Sequence, residues 1–550
     1  MPAPQPLLRA PPFPGIAPAI AAVSHAGDAA PAVSPDARAR LFAAVRAARV
    51  GGDFWAAPPP PMTGPIAILR PAGPAECHRL IASARRAEDA RAPIALLPDA
   101  RWARRAVGVA TVVGACDPWP LLTGDACLHA HGDDPFAALA LIAGIPVRWL
   151  SEGRFDSEDK VAQALLACAY RDPFTGDAAT ITSTIDLLAE WRHLIDANRG
   201  IAAAAGIARW KRREIARFLW ARRAAPLRFR SESAALRSAA RAGGGVAIWP
   251  SRVSPGFTAR AAAAGVPVTR LEDGFIRSVG LGSNLFPPFS IAADARGIHY
   301  DPATPSDLEA LLEAGDMTPA ILRRAEALRA LIVETGIGKY GADADGPPVD
   351  RPAGRRVVLV AGQVEDDMSV RLGGGGVAGN RDLLARARAL EPDAEIWFRP
   401  HPDVDAGHRV GRIADDDARR LADRVVRGGG MARLLDAVDG VHVLTSLTGF
   451  EALLRGRDVT VHGVPFYAGW GLTRDLAATP ARRARRLTLA ELIAGVLILY
   501  PRYLDPVTRL PCPPETLIAR FTRQAKPRAT WLTAARALQG RLMHGLAGRP

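Results

Sequence analysis

The feature that most constrains the fold is an alternation of short apolar runs with longer stretches of helical periodicity. In the first half the apolar runs are PIAILR (65–70), APIALL (92–97) and ATVVGA (110–115). In the second half they are VAIW (246–249), PVTRL (267–271), RVVLVAG (356–362), AEIWFRP (394–400), GVHVLT (440–445) and DVTVHG (458–463). DARGIHY (294–300) predicts a turn and strand, and RDLLARARAL (381–390) and GFEALLRG (449–456) predict helices. Strand, helix and strand in succession predict right-handed crossovers and a doubly wound α/β sheet.

A chain of 550 residues is too long for one ordinary core, so we expect two or three domains. Residues 1–63 are rich in Pro and Ala, and we expect them to be mostly disordered or extended. The remaining predicted segments are an α/β subdomain at 64–185, a helical, basic connector at 186–240, two α/β subdomains at 241–340 and 341–515, and a basic amphipathic tail at 516–550.

The net charge of +14 indicates anionic partners. The alternative is that the charge reflects only an Arg-rich composition, because the chain has just four lysines. These are Lys160, Lys211, Lys339 and Lys526. No known nucleic-acid-binding motif interleaves basic and aromatic residues here, so we do not expect a nucleic acid partner. Five scattered cysteines without a C-x-x-C pair favour a reducing compartment. The first residues lack the apolar core of a signal peptide, and we expect a cytoplasmic protein.

The two halves of the chain share a degraded repeat. Residues 124–149 parallel 439–463, AYRDPFTG (169–176) parallels RYLDPVTR (502–509), and 92–102 parallels 394–404. The polar residues differ, since the first copy has Gly132 where the second has Ser446, and Pro98-Asp99 where the second has His401-Pro402. We interpret the first copy as a duplicated subdomain that kept its core and lost its polar site. Chance similarity between two α/β layers is the alternative.

The densest polar cluster is LEDGFIRSVGLGSNLFPPFS (271–290), which begins in a predicted strand. Glu272 and Asp273 are adjacent on an extended chain and should point in opposite directions, so we expect one of them to face the reaction. The glycines that permit close approach of a ligand are Gly274, Gly280 and Gly282. An ordinary Gly-rich loop is the alternative.

A second cluster, AGQVEDDMSV (361–370), also follows a strand. The amide of Gln363 offers a donor and an acceptor, which suits a pyrimidine edge or a sugar, and Ser369 is placed to open the next helix. The acidic residues Glu365, Asp366 and Asp367 fit a solvated turn equally well.

The third cluster is FRPHPDVDAGHR (398–409). His401 lies between two prolines, where it can hydrogen-bond a phosphate and stabilise charge on a leaving group. A rival interpretation is a metal site of His401, Asp403, Asp405 and His408, but this spacing matches no established metal motif, and we expect none.

The fourth cluster, LTSLTGFEALLRG (444–456), places Thr445, Ser446 and Thr448 at a predicted helix start. Thr448-x-x-Glu451 is a capping-box pattern, and free N–H groups with hydroxyls at such an end bind phosphate. A cap without a ligand is the alternative. The following segment has Pro465, Phe466, Tyr467 and Trp470, which can stack on a base or simply pack in the core.

Taken together, these stretches resemble the capsule polysaccharide β-Kdo transferase family of Gram-negative bacteria. The matching motifs are EDGFIRSVGLGSNLFPPFS, GIHYDPATPSDLE, AGQVEDDMSV, RPHPDVDAGHRVG, LTSLTGFEALLRG and GVPFYAGWGLT, within 241–515. The resemblance implies a GT-B fold of two facing Rossmann-like subdomains, here preceded by a degenerate one. Residues 241–340 would be the acceptor side and 341–515 the CMP-sugar side. It implies CMP-Kdo as donor and a lipid-linked Kdo acceptor at the inner face of the cytoplasmic membrane. Other capsule assembly and export proteins are candidate partners.

By this resemblance, Glu272 and Asp273 belong to the acidic motif, His401-Pro402 to the motif at the leaving phosphate, and Ser446 to the phosphate-binding motif. The remaining donor-binding candidates are Gln363, Ser369, Arg399, Thr448, Gly449, Pro465 and Phe466. Arg399 stands where lysine is expected, and Gly341 where asparagine is expected. The first copy lacks the acidic, Gln and His-Pro motifs, so we expect no second activity from it.

A β product from a β-linked CMP donor retains the anomeric configuration, and two displacements require a carboxylate nucleophile. We assign that role to Asp273, with Glu272 second. CMP leaves as a monophosphate, which His401 and the 446–449 helix start would hold, so neither metal nor cofactor is needed in principle. The alternatives are a transferase for another CMP-linked acidic sugar, of the sialic acid type, and a non-catalytic scaffold.

The end of the chain has no acidic residue from 516 to 550 but seven arginines and lysines. Helical spacing places one apolar stripe on Trp531, Ala535, Leu538, Leu542 and Leu546. We expect this tail to hold the protein on the anionic surface of the inner membrane, with packing on the protein itself as the alternative.

Overall fold

The computed structural model describes residues 5–14, 20–23, 33–62, 66–87, 94–96, 111–222, 226–278, 287–339, 341–342 and 350–523. The chain forms two compact units. Unit 1 comprises Met1–Gly200 and Leu219–Pro226, and unit 2 comprises Ile201–Phe218 and Leu227–Pro550.

Unit 1 is built on a parallel five-stranded sheet. The strands of the unit are β1 (Ala21–Val23), β2 (Ile66–Leu69), β3 (Ile94–Leu96), β4 (Thr111–Val112), β5 (Ala126–His131), β6 (Val147–Ser151), β7 (Cys168–Arg171) and β8 (Ala178–Ala179). The helices are α1 (Pro35–Ala48), α2 (Pro74–Ala87), α3 (Pro135–Ala143), α4 (Glu158–Leu166) and α5 (Ile181–Arg199). The parallel sheet has the order β4-β3-β2-β5-β6, and β1-β7-β8 form a small antiparallel sheet.

Unit 2 contains two six-stranded sheets. Its strands are β9 (Ile201–Ala205), β10 (Arg228–Phe229), β11 (Gly245–Ile248), β12 (Val268–Asp273), β13 (Ser290–Asp294), β14 (Ile337–Gly338), β15 (Gly341–Ala342), β16 (Val357–Ala361), β17 (Glu395–Arg399), β18 (Arg424–Val425), β19 (Gly440–Val443), β20 (Asp458–Val461), β21 (Arg474–Asp475) and β22 (Pro501–Tyr503). Its α-helices are α6 (Arg212–Phe218), α7 (Glu232–Ala242), α8 (Phe257–Ala263), α9 (Asp307–Ala314), α10 (Pro319–Thr335), α11 (Met368–Gly373), α12 (Asn380–Leu390), α13 (Pro402–Asp405), α14 (Asp415–Arg419), α15 (Met431–Ala437), α16 (Leu447–Leu454), α17 (Leu489–Ile493) and α18 (Pro514–Arg523). A 3₁₀ helix covers Arg209–Lys211, and a π-helical stretch covers Ala494–Leu499.

The two sheets of unit 2 differ in strand direction. The N-terminal sheet, β10-β9-β11-β12-β13-β22, is parallel from β10 to β12 and antiparallel beyond. The C-terminal sheet, β18-β17-β16-β19-β20-β21, is parallel throughout. Its strand β16 reads VVLVA and is buried along its whole length, as central parallel strands with helices on both faces must be. The segment 341–515 is predicted as the CMP-sugar side, but its strand β22 pairs with β13, so the chain returns to the N-terminal sheet.

The two halves of the predicted repeat agree in topology and in one local turn. The unit 1 order β4-β3-β2-β5-β6 matches β18-β17-β16-β19-β20 strand for strand. The Asp-Pro turns also agree: Asp172 accepts hydrogen bonds from the backbone N–H groups two and three residues further on, at 2.7 and 3.0 Å. Asp505 does the same at 3.1 and 3.0 Å. The strand order is common to doubly wound α/β sheets, so the shared turn is the more specific of the two observations.

Two predicted segments were wrong. Residues 1–63 include α1, which begins at Pro35 after the cap Ser34 and buries Phe42 and Val45. The apolar face of this Ala-rich helix packs in the core. The Pro/Ala composition of the segment gave no indication of this helix. Residues 186–240 are not a helical connector, because β9 lies within the N-terminal sheet between β10 and β11. Its alanine-rich sequence has low strand propensity, and its buried position between two neighbours decides its conformation.

Two predicted boundaries also need correction. DARGIHY begins at the end of β13 rather than containing a strand, because Asp294 accepts hydrogen bonds from the backbone N–H groups of Arg296 (3.0 Å) and Gly297 (2.8 Å) and closes a turn. The predicted tail begins too early, since α18 buries Leu517 and Phe521 and belongs to the folded unit. The apolar stripe at 531–546 lies outside the described residues. None of the described helices combines the length and apolar character needed to cross a membrane.

Candidate active site

A cavity of about 990 Å³ in unit 2 is lined by residues of both sheets and of the loops at their strand ends. Every predicted site residue except Gly449 lines it. These residues are Glu272, Asp273, Gln363, Ser369, Arg399, His401, Pro402, Ser446, Thr448, Pro465 and Phe466. Parallel strands end at a common edge, and that geometry brings together side chains that are far apart in the sequence.

Asp273, the last residue of β12, is held by two cations. Lys211 Nζ lies 2.9 Å from one carboxylate oxygen, and Arg277 Nε lies 2.7 Å from the other. Burial by itself raises the pKa of the Asp273 carboxyl, but the charges of Arg277 and Lys211 outweigh it and hold the pKa below its usual range. Asp273 is therefore an ionised carboxylate in an enclosed site.

Glu272 has the opposite electrostatic character. Its Oε1 accepts a hydrogen bond from the backbone N–H of Asp273 (2.9 Å). Burial, and then the negative charge of Asp273, raise the pKa of Glu272 to about 7. Both residues line the cavity, and which of them faces the reaction stays a prediction. Two neighbouring carboxyls with pKa values displaced in opposite directions can divide the roles of nucleophile and acid–base group.

Gly274 is required by close packing. A Cβ atom on Gly274 would lie 2.2 Å from Ser290 Oγ, so the chain can follow this path after the acidic pair only with glycine. Gly280 and Gly282, also predicted to allow ligand approach, lie outside the described residues.

Gln363 connects two loops of the C-terminal sheet. Its Nε2 donates to Thr445 Oγ1 (3.0 Å), and its Oε1 accepts from Thr445 N (2.7 Å). The amide therefore fixes the two loops relative to each other, while its contact with a pyrimidine or sugar stays a prediction. Ser369 lies in the first turn of α11, which Asp367 caps, and its hydroxyl donates to Asp367 Oδ1 (2.7 Å). The helix thus begins one residue before Ser369, at Met368.

His401 is the N-cap of α13, with Pro402 at the first helical position. Its Nδ1 accepts a hydrogen bond from Asp403 N (3.1 Å), so in the neutral ring the proton is on Nε2. Burial lowers the pKa of His401, and the charge of Lys339 adds to this effect while that of Asp403 opposes it. His401 is thus a neutral N–H donor at neutral pH.

Arg399, at the end of β17, donates to the carbonyl oxygens of Gly428 and, at 2.9 Å, Gly429. Asp405 of the rival metal set forms an ion pair with Arg427 (2.8 Å). Across the part of the chain that the structure describes, no group of three or more His, Cys, Asp and Glu side chains is placed to hold a metal ion.

The start of α16 lies at the cavity with Ser446 as its N-cap. Ser446 Oγ accepts from Thr448 N (3.2 Å), so Ser446 caps the helix and the predicted capping box from Thr448 to Glu451 was wrong. Glu451 instead accepts a hydrogen bond from Lys339 N (3.2 Å) in the β14–β15 hairpin. A helix N-terminus with free N–H groups and hydroxyls is suited to a phosphate.

Gly449 serves packing rather than the cavity wall. A Cβ atom there would lie 2.3 Å from the hydroxyl oxygen of Tyr467, which crosses the helix at this point. Tyr467 and Trp470 are fully buried, so core packing accounts for both. Phe466 lines the cavity and packs against Phe275, with ring centroids 4.9 Å apart.

No role was predicted from the sequence for Lys211 or Lys339. Lys211 forms an ion pair with Asp273, and Lys339 lines the cavity. The signal was the rarity of lysine: two of only four lysines in this Arg-rich chain reach one site.

Comparisons with known proteins identify the family. Residues 245–335 and 339–503 match the family described as "Capsule polysaccharide biosynthesis protein". The chain is 40% identical over 358 residues to the capsule polysaccharide modification protein LipA of Neisseria meningitidis serogroup A. The aligned stretch covers 64% of this chain and 50% of LipA. It is 44% identical over 242 residues to the lipopolysaccharide-processing protein LpsZ of Rhizobium meliloti, covering 43% of this chain and 54% of that protein. The chain therefore spans about half the length of these curated relatives.

A solved structure extends the comparison to the fold. The β-Kdo 2,4 transferase of Thermosulfurimonas dismutans KpsC is 32% identical, with a TM-score of 0.52, and covers 58% of this chain and 98% of its own. The two Rossmann-like sheets of unit 2 thus form a GT-B glycosyltransferase fold. Motifs, fold and identities together show that the chain belongs to the capsule polysaccharide Kdo transferase family.

Proposed function

We propose that unit 2 is a retaining β-Kdo transferase that moves Kdo from CMP-Kdo to a lipid-linked acceptor in capsule polysaccharide biosynthesis. The observation that carries the proposal is the pair Glu272 and Asp273 in one cavity with His401 and the start of α16. The carboxylates and the phosphate-binding groups come from different sheets, as a reaction between a nucleotide sugar and an acceptor requires.

The first displacement uses the ionised carboxylate of Asp273. Its oxygen forms a bond to the anomeric carbon while the bond from that carbon to the phosphate oxygen breaks, and CMP departs. The Nε2–H of His401 and the N-terminus of α16 stabilise the phosphate of departing CMP.

The second displacement restores Asp273. An acceptor hydroxyl attacks the anomeric carbon, Glu272 takes the hydroxyl proton, and Asp273 leaves as a carboxylate. A pKa of about 7 suits Glu272 to that transfer at neutral pH. Two inversions retain the β configuration. A monophosphate leaving group needs no metal in this scheme.

The setting of the reaction is part of the proposal. The acceptor is lipid-linked, so we place the protein in the cytoplasm, peripheral to the inner face of the cytoplasmic membrane, near capsule assembly and export proteins. The +14 net charge supports attraction to an anionic surface.

The test is incubation of purified protein with CMP-Kdo and a synthetic Kdo-terminated lipid, followed by product mass and linkage analysis. Asp273→Asn keeps the shape of the side chain, and we expect it to bind CMP but lose transfer by about three orders of magnitude or more. A variant with more than about a tenth of the wild-type rate would rule out Asp273 as the nucleophile. Transfer from a CMP-linked sialic acid, with none from CMP-Kdo, would establish the alternative donor.

A further inference from the structure

The buried lysine of the site lies upstream of the residues that the family model matches. Lys211 ends the 3₁₀ helix Arg209–Lys211, whereas the family match begins at residue 245. Its side chain is 10% exposed, and its Nζ lies 2.9 Å from Asp273 Oδ1. The segment between β9 and α6 therefore completes the surroundings of the proposed nucleophile.

Two indole rings localise the ammonium group of Lys211. Its Nζ lies 3.5 Å from the ring centroid of Trp249 and 5.2 Å from that of Trp210. Trp249 follows β11 and lines the cavity beside Asp273. A cation over a tryptophan face is attracted by the ring quadrupole, most strongly when water is excluded. The ring and the carboxylate therefore hold this flexible side chain in one place.

We propose that Lys211 is a positioning residue that orients Asp273, keeps it ionised, and stabilises it as the leaving group when the glycosyl–enzyme ester breaks. This inference rests on the proposed function, because it assumes that Asp273 forms a covalent bond with the sugar.

The charge balance of the two steps gives Lys211 an asymmetric effect. In the first step the Asp273 oxygen donates an electron pair to the anomeric carbon and loses its negative charge, so the ion pair with Lys211 weakens. In the second step the carbon–oxygen bond to Asp273 breaks, the electron pair returns to the carboxylate, and the ion pair is restored. Lys211 and Arg277 thus favour breakdown of the ester over its formation.

Several charged or titratable groups surround this pair. Those that face Asp273 or Glu272 are Lys211, Arg277, Lys339, Tyr300 and the two carboxyls themselves. Removal of Lys211 leaves Arg277 as a cation on Asp273, so the carboxylate should remain partly stabilised. The expected change is therefore a shift in ionisation rather than its complete loss.

The test compares Lys211→Met, which keeps length and removes charge, with Lys211→Arg, which keeps charge. Lys160→Met is the matched control, because Lys160 forms an ion pair with Asp156 in unit 1. The readouts are the pH dependence of single-turnover transfer from CMP-Kdo and intact-protein mass after quenching. Glu272 sets the acidic limb, and the charge of Lys211 lowers the pKa of Glu272, so we expect Lys211→Met to move that limb upward by about one pH unit or more and to accumulate a Kdo–protein adduct. Lys211→Arg should recover most of the wild-type profile, and Lys160→Met should match wild type.

The outcomes separate this inference from the proposed function. If wild-type protein transfers no Kdo, the proposed function fails. If wild-type protein transfers Kdo and Lys211→Met has the same acidic limb and no added adduct, only the role of Lys211 fails. If Lys211→Met does not fold, Trp249→Phe weakens the hold on the ammonium without removing the charge. We then expect a smaller upward shift of the acidic limb, and an unchanged limb overturns the proposal.

Discussion

The side-chain amide of Gln363 and the backbone and hydroxyl of Thr445 form a reciprocal pair of hydrogen bonds, at 2.7 and 3.0 Å. The pair joins the loop after β16 to the loop after β19, and the next residue, Ser446, caps α16. One buried amide thereby sets the position of the helix end proposed to bind phosphate.

Gln363→Ala should weaken CMP binding and lower stability. Truncation leaves the Thr445 N–H buried without its acceptor, which costs about 1–3 kcal/mol of unfolding free energy. We expect CMP affinity by titration calorimetry to fall about tenfold or more if the loop moves. Gln163→Ala on α4 of unit 1 is the control. Wild-type CMP affinity in the Gln363 variant would refute the positioning role.

Glu272→Gln should remove a pH dependence from both activity and stability. As a base, Glu272 must be ionised, so wild-type transfer should decline as pH falls below about 7. Glu272→Gln should be slow throughout and lack that limb.

The stability of the wild-type protein should change with pH in the opposite direction from its activity. Between its ordinary value of 4.5 and about 7, the buried Glu272 carboxyl binds more protons in the folded than in the unfolded state. Its contribution to stability is therefore present at low pH and lost as pH rises through that window. The lowered pKa of Asp273 acts at more acidic pH, outside the window. Melting temperatures of wild type and Glu272→Gln, measured from pH 4.5 to 8, should diverge in favour of the variant as pH rises.

Unit 1 should contribute no nucleotide site. At the start of α3 the cap is Asp134, and Arg70 after β2 forms an ion pair with it at 2.7 Å. This is the position of Ser446 in unit 2, so the counterpart of Ser446 is Asp134 rather than the predicted Gly132. A carboxylate at the helix end repels phosphate.

Ser446→Asp copies that arrangement into unit 2 while keeping a good N-cap. Titration calorimetry should show one CMP per wild-type chain and none for Ser446→Asp. A second equivalent of CMP that persists in the variant would indicate binding in unit 1. Ser157→Asp, at the cap of α4, controls for the added charge.

Truncation after Arg523 should weaken binding to membranes while sparing transfer to a short soluble acceptor. The earlier boundary at Glu515 would remove α18, whose Arg520 pairs with the buried Asp505 at 2.9 Å. Each basic residue near an anionic surface contributes about 1 kcal/mol, so the attachment should be reversible and sensitive to salt. Equal sedimentation of both proteins with anionic vesicles at low salt would show that the tail is not the anchor.

Sequence periodicity located nine of the described strands, because apolar runs of this kind are buried when the chain folds as α/β. They are β2, β3, β4, β11, β12, β16, β17, β19 and β20. RVVLVAG predicted β16, and RDLLARARAL predicted α12. Periodicity failed where local composition and tertiary position disagree. Alanine-rich β9 is a strand because its neighbours in the sheet satisfy its backbone, and α1 is a helix within a segment whose prolines suggested disorder.

The same distinction holds for the site. The sequence by itself determined the α/β class, the repeat and the residues at the strand ends, because motif and periodicity are properties of neighbouring positions. Only the tertiary structure decided which groups meet there. Lys211 is 62 residues from Asp273 in the chain, and Gln363 is 82 residues from Thr445. These contacts depend on strand order and on the path of each loop. The charge of Lys211, brought to the site by the fold, helps to hold Asp273 ionised. Burial and the charge of Asp273 raise the pKa of Glu272 to about 7.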